Sequence, residues 1–171
     1  MQTENASPTF GKEYFNNYIR LVNGNDIVSI LEQQGLMTKT FFNAMDEAKG
    51  NFSYAPNKWT VKEVLGHLCD SERVFAYRAL RFARKDKTKL SPYEQDDYVL
   101  AANFNTRALK DLASEFFAIR QSNLALFKTF SDEVLQYNGT SGNAELSVRD
   151  VLYIIAGHEI HHMKVLQERY L

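Results

Sequence analysis

Proline is scarce in this 171-residue chain, and its three prolines all fall outside four long stretches in which apolar residues recur every three or four positions. That pattern commits most of the chain to amphipathic helix. The spacing predicts a first helix from about Asp26 to Ala48, with Asp26 as N-cap and Ile27, Ile30, Leu31, Met37, Phe41 and Met45 as its apolar stripe. A second is expected from about Thr60 to Arg84. There "T-V-K-E" is a capping box, and Val61, Val64, Leu68, Phe75, Ala79 and Phe82 face inward. A third runs from about Asn105 to Phe130, on Leu109, Leu112, Phe116, Ile119, Phe127 and Phe130, and a fourth from Ser147 to about Arg169. Phe10 to Leu21 is a weaker fifth candidate within an N-terminal extension of about 20 residues. "NGTSGNAE" reads as a loop, and no segment alternates with period two for long enough to claim a sheet. The expected fold is all-α: one domain over residues 1–171, a four-helix bundle in up-down-down-up order. The polar stretch "KDKTKLSPYEQDDYV", which Pro92 keeps from continuing as helix, is its long crossover connection.

Composition narrows the function classes. A net charge of −1 gives no electrostatic reason for nucleic-acid or anionic-membrane binding. The basic run of Arg73, Arg78, Arg81, Arg84, Lys85, Lys87 and Lys89 reads as a solvated helix face, because Glu94, Asp96 and Asp97 follow it. No apolar run reaches the length of a membrane span, and the N-terminus does not read as a signal peptide. A single cysteine, Cys69, leaves no internal disulfide, so a reducing cytoplasmic location is expected, with "NFS" at Asn51 and "NGT" at Asn138 as turns rather than glycosylation sites. Cys69 is expected in the core, and Trp59 as a hydrophobic staple before the Thr60 cap.

The chemistry concentrates in "GHEIHHMKVL", which holds three of the four histidines. At about 100° per residue, His158 and His162 fall in the middle of the face defined by Val151, Ile154, Ile155, Val165 and Leu166, while His161 sits on its shoulder. A lone buried histidine is usually satisfied by ordinary hydrogen bonds. Two at i and i+4 in a core stripe both need partners, and a divalent cation serves both as neutral imidazole ligands. His67, on the shoulder of the second helix, is the remaining histidine and the candidate third ligand. Three histidines without a fourth protein ligand would leave positions open for water or substrate, the form of a catalytic centre. An internal echo bears on depth: "W-T-V-K-E-V-L" at Trp59 resembles "L-S-V-R-D-V-L" at Leu146, so both histidine-bearing helices have defined starts.

His158-Glu159-x-x-His162 also reads literally as the zinc-protease signature. Its context is missing, because "MKVLQERYL" after His162 supplies no downstream histidine or glycine, and Glu168 falls on another face. Glu159 is left with two readings, a general base beside the metal or a solvated carboxylate on the helix shoulder.

"KWTVKEVLGHLCDSERVFAYRALR" together with "YIIAGHEIHHMKVLQERYL" resembles the DinB-like family of metal-binding four-helix bundles, and "SPYEQDDYV" looks like the linker of one branch of it. The similarity runs from about Tyr18 to the C-terminus. The resemblance implies a divalent transition metal, zinc or nickel, held by His67, His158 and His162, with His161 outside the ligand set. It also implies an enzyme of small-molecule chemistry, either an S-transferase using a low-molecular-weight thiol or a metal-dependent hydrolase, and a homodimer. A non-catalytic metal-binding or stress-response bundle is the alternative from another class.

Overall fold

The computed structural model describes residues 11–171. Residues 1–10, and with them half of the expected N-terminal extension and most of the segment read for a signal peptide, lie outside the described residues. The four expected helices are present as α2 (Ile27–Ala44), α3 (Val61–Ala83), α5 (Leu109–Phe127) and α7 (Val148–Arg169), and the weaker candidate is α1 (Lys12–Ile19). Their starts follow the caps. The Asp26 carboxylate accepts from the Ser29 amide, and Thr60 with Glu63 and Ser147 with Asp150 form reciprocal capping boxes.

Polar contacts fix the direction of each long helix. Gln34 donates to the Ala156 carbonyl and Thr38 to Glu159, so α2 and α7 run parallel. The Tyr170 hydroxyl donates to the Trp59 carbonyl, tying the end of α7 to the start of α3, which is therefore antiparallel to it. The carboxylates of Glu63 and Glu72 on α3 pair with Asn105, just before α5, and with Arg120 within it, so those helices run parallel. Lys128 reaches Glu32 and Glu47 accepts from the Leu109 amide, making α5 antiparallel to α2. The order is up-down-down-up. Each helix packs on two neighbours, α2 and α3 on both α5 and α7, so chain-consecutive helices α2/α3 and α5/α7 lie diagonally. Residues 84–108 make the long return from α3 to α5.

That return is not structureless. It contains α4 (Gln95–Ala102) and a 3₁₀ turn, Phe104–Thr106, and α6 (Asp132–Leu135) follows α5. The segment read as a loop is a hairpin instead, β1 (Asn138–Ser141) paired antiparallel with β2 (Ala144–Ser147), so Asn138 begins a strand rather than a turn. Tertiary contacts explain the difference: Gly139 lies against the Phe82 ring so closely that a Cβ would meet it at 1.9 Å, and Leu90 of the crossover bridges Ser141. The hairpin leaves the all-α class unchanged.

The buried apolar residues form two clusters, one around Phe15, Leu31, Phe82 and Ile155, the other around Phe42, Leu65, Leu112 and Leu166. Thr38, Ser71, Glu72, Arg120, His158 and Glu159 are buried polar groups of the same interior. The expected stripe of α2 is partly wrong: Met37 is 71 % exposed, while Phe42 is buried. No helix among the described residues is long and apolar enough to cross a membrane.

Candidate metal centre

His67 comes from the second turn of α3, and His158 and His162 from successive turns of α7. Their Nε2 atoms converge. The Nε2 of His158 is 3.1 Å from that of His67 and 3.1 Å from that of His162. His67 and His158 are buried and His162 is half-buried; His161 is exposed and outside the cluster. Among the described residues no fourth histidine, cysteine or carboxylate joins the three.

Hydrogen bonding among the imidazoles does not satisfy this arrangement. An imidazole nitrogen offers either one N–H or one in-plane lone pair, so His158 Nε2 cannot bond both neighbours well. A cation takes all three lone pairs. With metal–nitrogen distances of about 2.0–2.1 Å, a separation of 3.1 Å subtends roughly 100°, within the range of a shared centre. The rings are also held in the ligating, neutral form. Burial pushes His67 down to about 4, and burial reinforced by the neighbouring histidines holds His158 and His162 well below the ordinary range. The three side chains fit a divalent transition metal.

Aromatic groups wall the centre. The Trp59 ring lies 4.7 Å from that of His67 and stacks at 6.4 Å on that of His162, a larger role than a staple. Tyr18 presents an edge to His158 at 5.3 Å. It gets there because Gly157 has no side chain; a Cβ at that position would lie 2.0 Å from the Tyr18 carbonyl oxygen. The Ser71 hydroxyl is 3.3 Å from both ring nitrogens of His67 and 2.8 Å from the Tyr93 hydroxyl. Tyr93 comes from the crossover, so the connection covers the site from one side.

Neither expectation for Glu159 holds. It is buried, its Oε2 accepts from Arg120 Nη2 at 2.8 Å, and its Oε1 accepts from the Thr38 hydroxyl at 2.6 Å. Arg120 is fully buried and also donates to both oxygens of Glu72 and to the Leu31 carbonyl. Burial alone would lower the Arg120 guanidinium, but the carboxylates of Glu159 and Glu72 outweigh it and leave it raised. Burial pushes Glu159 up, with Arg120 and Thr38 offsetting only part. Glu159 is thus a structural carboxylate locking α7 to α5 and α2. Cys69 is fully buried, as expected, with its thiol near the Leu112 carbonyl.

The basic run also needs correction. Arg84, Lys85, Lys87 and Lys89 are exposed, but Arg78 is 4 % exposed, its guanidinium against Phe75 and Tyr93. It lines a cavity of about 50 Å³ that also reaches Tyr14, Tyr18, Tyr93 and His158. A wider groove of about 350 Å³ reaches His162 past Trp59, Asp96 and Tyr170. Sequence reading missed Arg78, Tyr18 and Tyr93. The available signal was phase: Arg78 is three residues after Phe75 and four before Phe82, on the buried stripe of α3.

The sequence matches the DinB superfamily over residues 30–166. No curated protein matches it. Among solved structures it is similar to YfiT from Bacillus subtilis, described as a probable metal-dependent hydrolase with an unusual four-helix bundle topology. The TM-score is 0.73 at 18 % identity, over 98 % of this chain and 90 % of that one. It is also similar to a mycothiol-dependent maleylpyruvate isomerase, with TM-score 0.67 at 11 % identity, over 85 % of this chain and 61 % of the other. A DinB-like protein from Bacillus subtilis, YjoA, gives 0.60 at 17 % identity over 85 % of this chain and 90 % of that one. At these identities the likeness concerns the fold.

Proposed function

Because the chain belongs to the DinB superfamily, we propose that it is a metal-dependent enzyme of small-molecule chemistry. His67, His158 and His162 hold a divalent transition metal, zinc or nickel, and a low-molecular-weight thiol is the co-substrate of an S-transfer. The observation that carries this is the convergence of three buried or half-buried Nε2 atoms with no fourth protein ligand, which leaves room for an exchangeable partner. When bound, the metal acts as a Lewis acid and lowers the pKa of a coordinated thiol or water. Hydrolysis is the second reading, favoured by the same open centre and by the description given to YfiT.

The protein's own groups have definable parts in either reaction. Trp59 packs on the rings of His67 and His162 and helps to hold their orientation. Burial raises Tyr93, and burial aided by the Tyr14 hydroxyl raises Tyr18 far above the usual phenol range, so both stay protonated and can donate hydrogen bonds. The Ser71–Tyr93 contact offers a two-hydroxyl path for a proton beside His67. Glu159, engaged by Arg120 and Thr38, takes no part as base.

The test is metal analysis of untagged protein after reconstitution with zinc or nickel, followed by thiol consumption against small electrophiles. About one metal per chain is expected, lost in His162→Ala, with thiol consumption above background that disappears in His67→Ala. Stoichiometric metal in His162→Ala would overturn the ligand set. Equal background rates in wild type and His67→Ala would overturn the S-transfer.

A further inference from the structure

Among the described residues Arg78 is a buried cation without a counter-ion. Its polar contact is one long bond from Nη2 to the Ser91 carbonyl at 3.4 Å, and its faces lie against the rings of Phe75 at 5.3 Å and Tyr93 at 5.9 Å. Among the described residues no carboxylate pairs with it. The contrast with other arginines is direct: Arg73 and Arg107 share Glu115, Arg81 has Asp86, and the still deeper Arg120 has both Glu72 and Glu159. Burying a guanidinium is costly unless an anion accompanies it, so an unpaired one at 4 % exposure is a prepared anion site. Burial pulls its pKa down, with Tyr93 offsetting part, yet an arginine keeps its charge.

The cavity beside it bears on the size and charge of the anion. Its walls include Tyr14, Tyr18, Tyr93, Phe75 and His158, so the guanidinium and the His158 ring line the same cavity. About 50 Å³, at roughly 10–15 Å³ per water-sized group, holds roughly three to five non-hydrogen atoms. That seats a carboxylate with one or two carbons attached, and the rest of a longer molecule would extend through the open side. A planar guanidinium bonds a carboxylate through two parallel N–H groups, and one positive charge matches one negative charge. Without the metal, a phosphate dianion would leave excess charge among protonated phenols and neutral imidazoles.

We infer that the substrate is a short carboxylic acid, or carries a carboxylate within two or three carbons of its reacting centre, with Arg78 binding that carboxylate in the cavity that opens on His158. The assignment of this anion as substrate rests on the reading of the three histidines as a catalytic metal centre. The anion site itself does not require the metal, and this keeps the two separable.

The experiment is calorimetric titration of chelator-treated and metal-loaded protein with propionate, its neutral isostere propionamide, and inorganic phosphate. Propionate is expected to bind at least tenfold more tightly than propionamide, with or without metal, and than phosphate in the metal-free protein. The preference should vanish in Arg78→Gln and return in part in Arg78→Lys. Equal binding of propionate and propionamide by the wild type would overturn the inference without recourse to any variant. So would a preference that survives Arg78→Gln, one present only in metal-loaded protein, or tighter binding of phosphate by the metal-free protein. Protein that takes up no metal but keeps the Arg78-dependent preference would overturn the metal reading alone.

Discussion

Replacing Glu159 with Gln separates a structural carboxylate from a catalytic one, and the structure fixes the size of the effect. In Glu159→Gln the amide oxygen can still accept from Arg120, and the amide nitrogen can donate to the Thr38 hydroxyl, which accepts as well as donates. Both contacts survive as hydrogen bonds, and the Thr38 hydroxyl must turn its own proton to another acceptor. What is lost is the ionic character of one bond, about 1–2 kcal/mol. The loss is partly offset because a buried carboxylate no longer has to be desolvated, the same burial that raises Glu159. The expected cost is therefore about 1 kcal/mol or less. Arg120→Met is the opposite case: it leaves two buried carboxylates, Glu72 and Glu159, without their shared cation, with an expected cost of at least about 3–5 kcal/mol. Against a total stability of about 5–15 kcal/mol, that approaches unfolding. Urea melts of the metal-free proteins, with metal content and turnover measured in parallel, test the pair. Glu159→Gln should keep its metal and its turnover to within a few-fold. If instead turnover falls by about 10²–10⁴ with stability and metal intact, Glu159 is a general base and the structural assignment is wrong. Equal destabilisation by the two substitutions would likewise refute the reasoning.

Because the folded-state pKa of Glu159 is raised above its ordinary 4.5, the folded protein binds more protons than the unfolded chain between those values, and wild type loses stability as pH rises through that window. Glutamine does not titrate, so the cost of Glu159→Gln should shrink from acid to neutral pH in urea melts; a cost that grows would contradict the shift. Gly157→Ala should displace α1, since its Cβ would lie 2.0 Å from the Tyr18 carbonyl oxygen, at a cost of about 1–3 kcal/mol. Thermal melts should show this as roughly 2–4 °C per kcal/mol, and an unchanged midpoint would place α1 elsewhere. Cys69 is fully buried and its thiol is held far above the ordinary range, first by burial and then by Glu115. It should stay unreactive to a thiol reagent until urea unfolds the chain, and rapid labelling of native protein would be inconsistent with that burial.

The long helices were legible because their signals are local and redundant. In α3 and α7 the apolar period and the capping box agree on where each begins. The elements that escaped are held by distant contacts. The four-residue strands exist because Gly139 seats on Phe82 and Leu90 bridges Ser141, neither of which leaves a mark in "NGTSGNAE". Charged side chains were misplaced for a different reason. Helical Arg or Glu reads as solvent-facing, yet Glu72, Arg78, Arg120 and Glu159 are all in phase with buried apolar neighbours: Glu72 between Leu68 and Phe75, Arg120 between Phe116 and Leu124. A charge in phase with a core stripe marks a buried network or a site, and here it marks both.

The histidine cluster shows how far local signals can carry a long-range result. The tie between the Trp59 carbonyl and the Tyr170 hydroxyl joins the start of α3 to the end of α7. From Trp59 inward to His67 is 67 − 59 = 8 residues, and from Tyr170 inward to His162 is 170 − 162 = 8. At about 1.5 Å per residue both lie about 12 Å below the tie, with His158 one turn deeper. Antiparallel packing then makes contact between the two helices' histidines a matter of rotation alone, and the apolar stripes on either side set the rotation. His161 is one residue from His162 and equally close in depth, but turned off the stripe, and it is left outside. The sequence therefore contained the depth of each ligand in its distance from a helix end. It did not contain the contact that sets the two ends level, because Trp59 and Tyr170 come together only when the bundle closes.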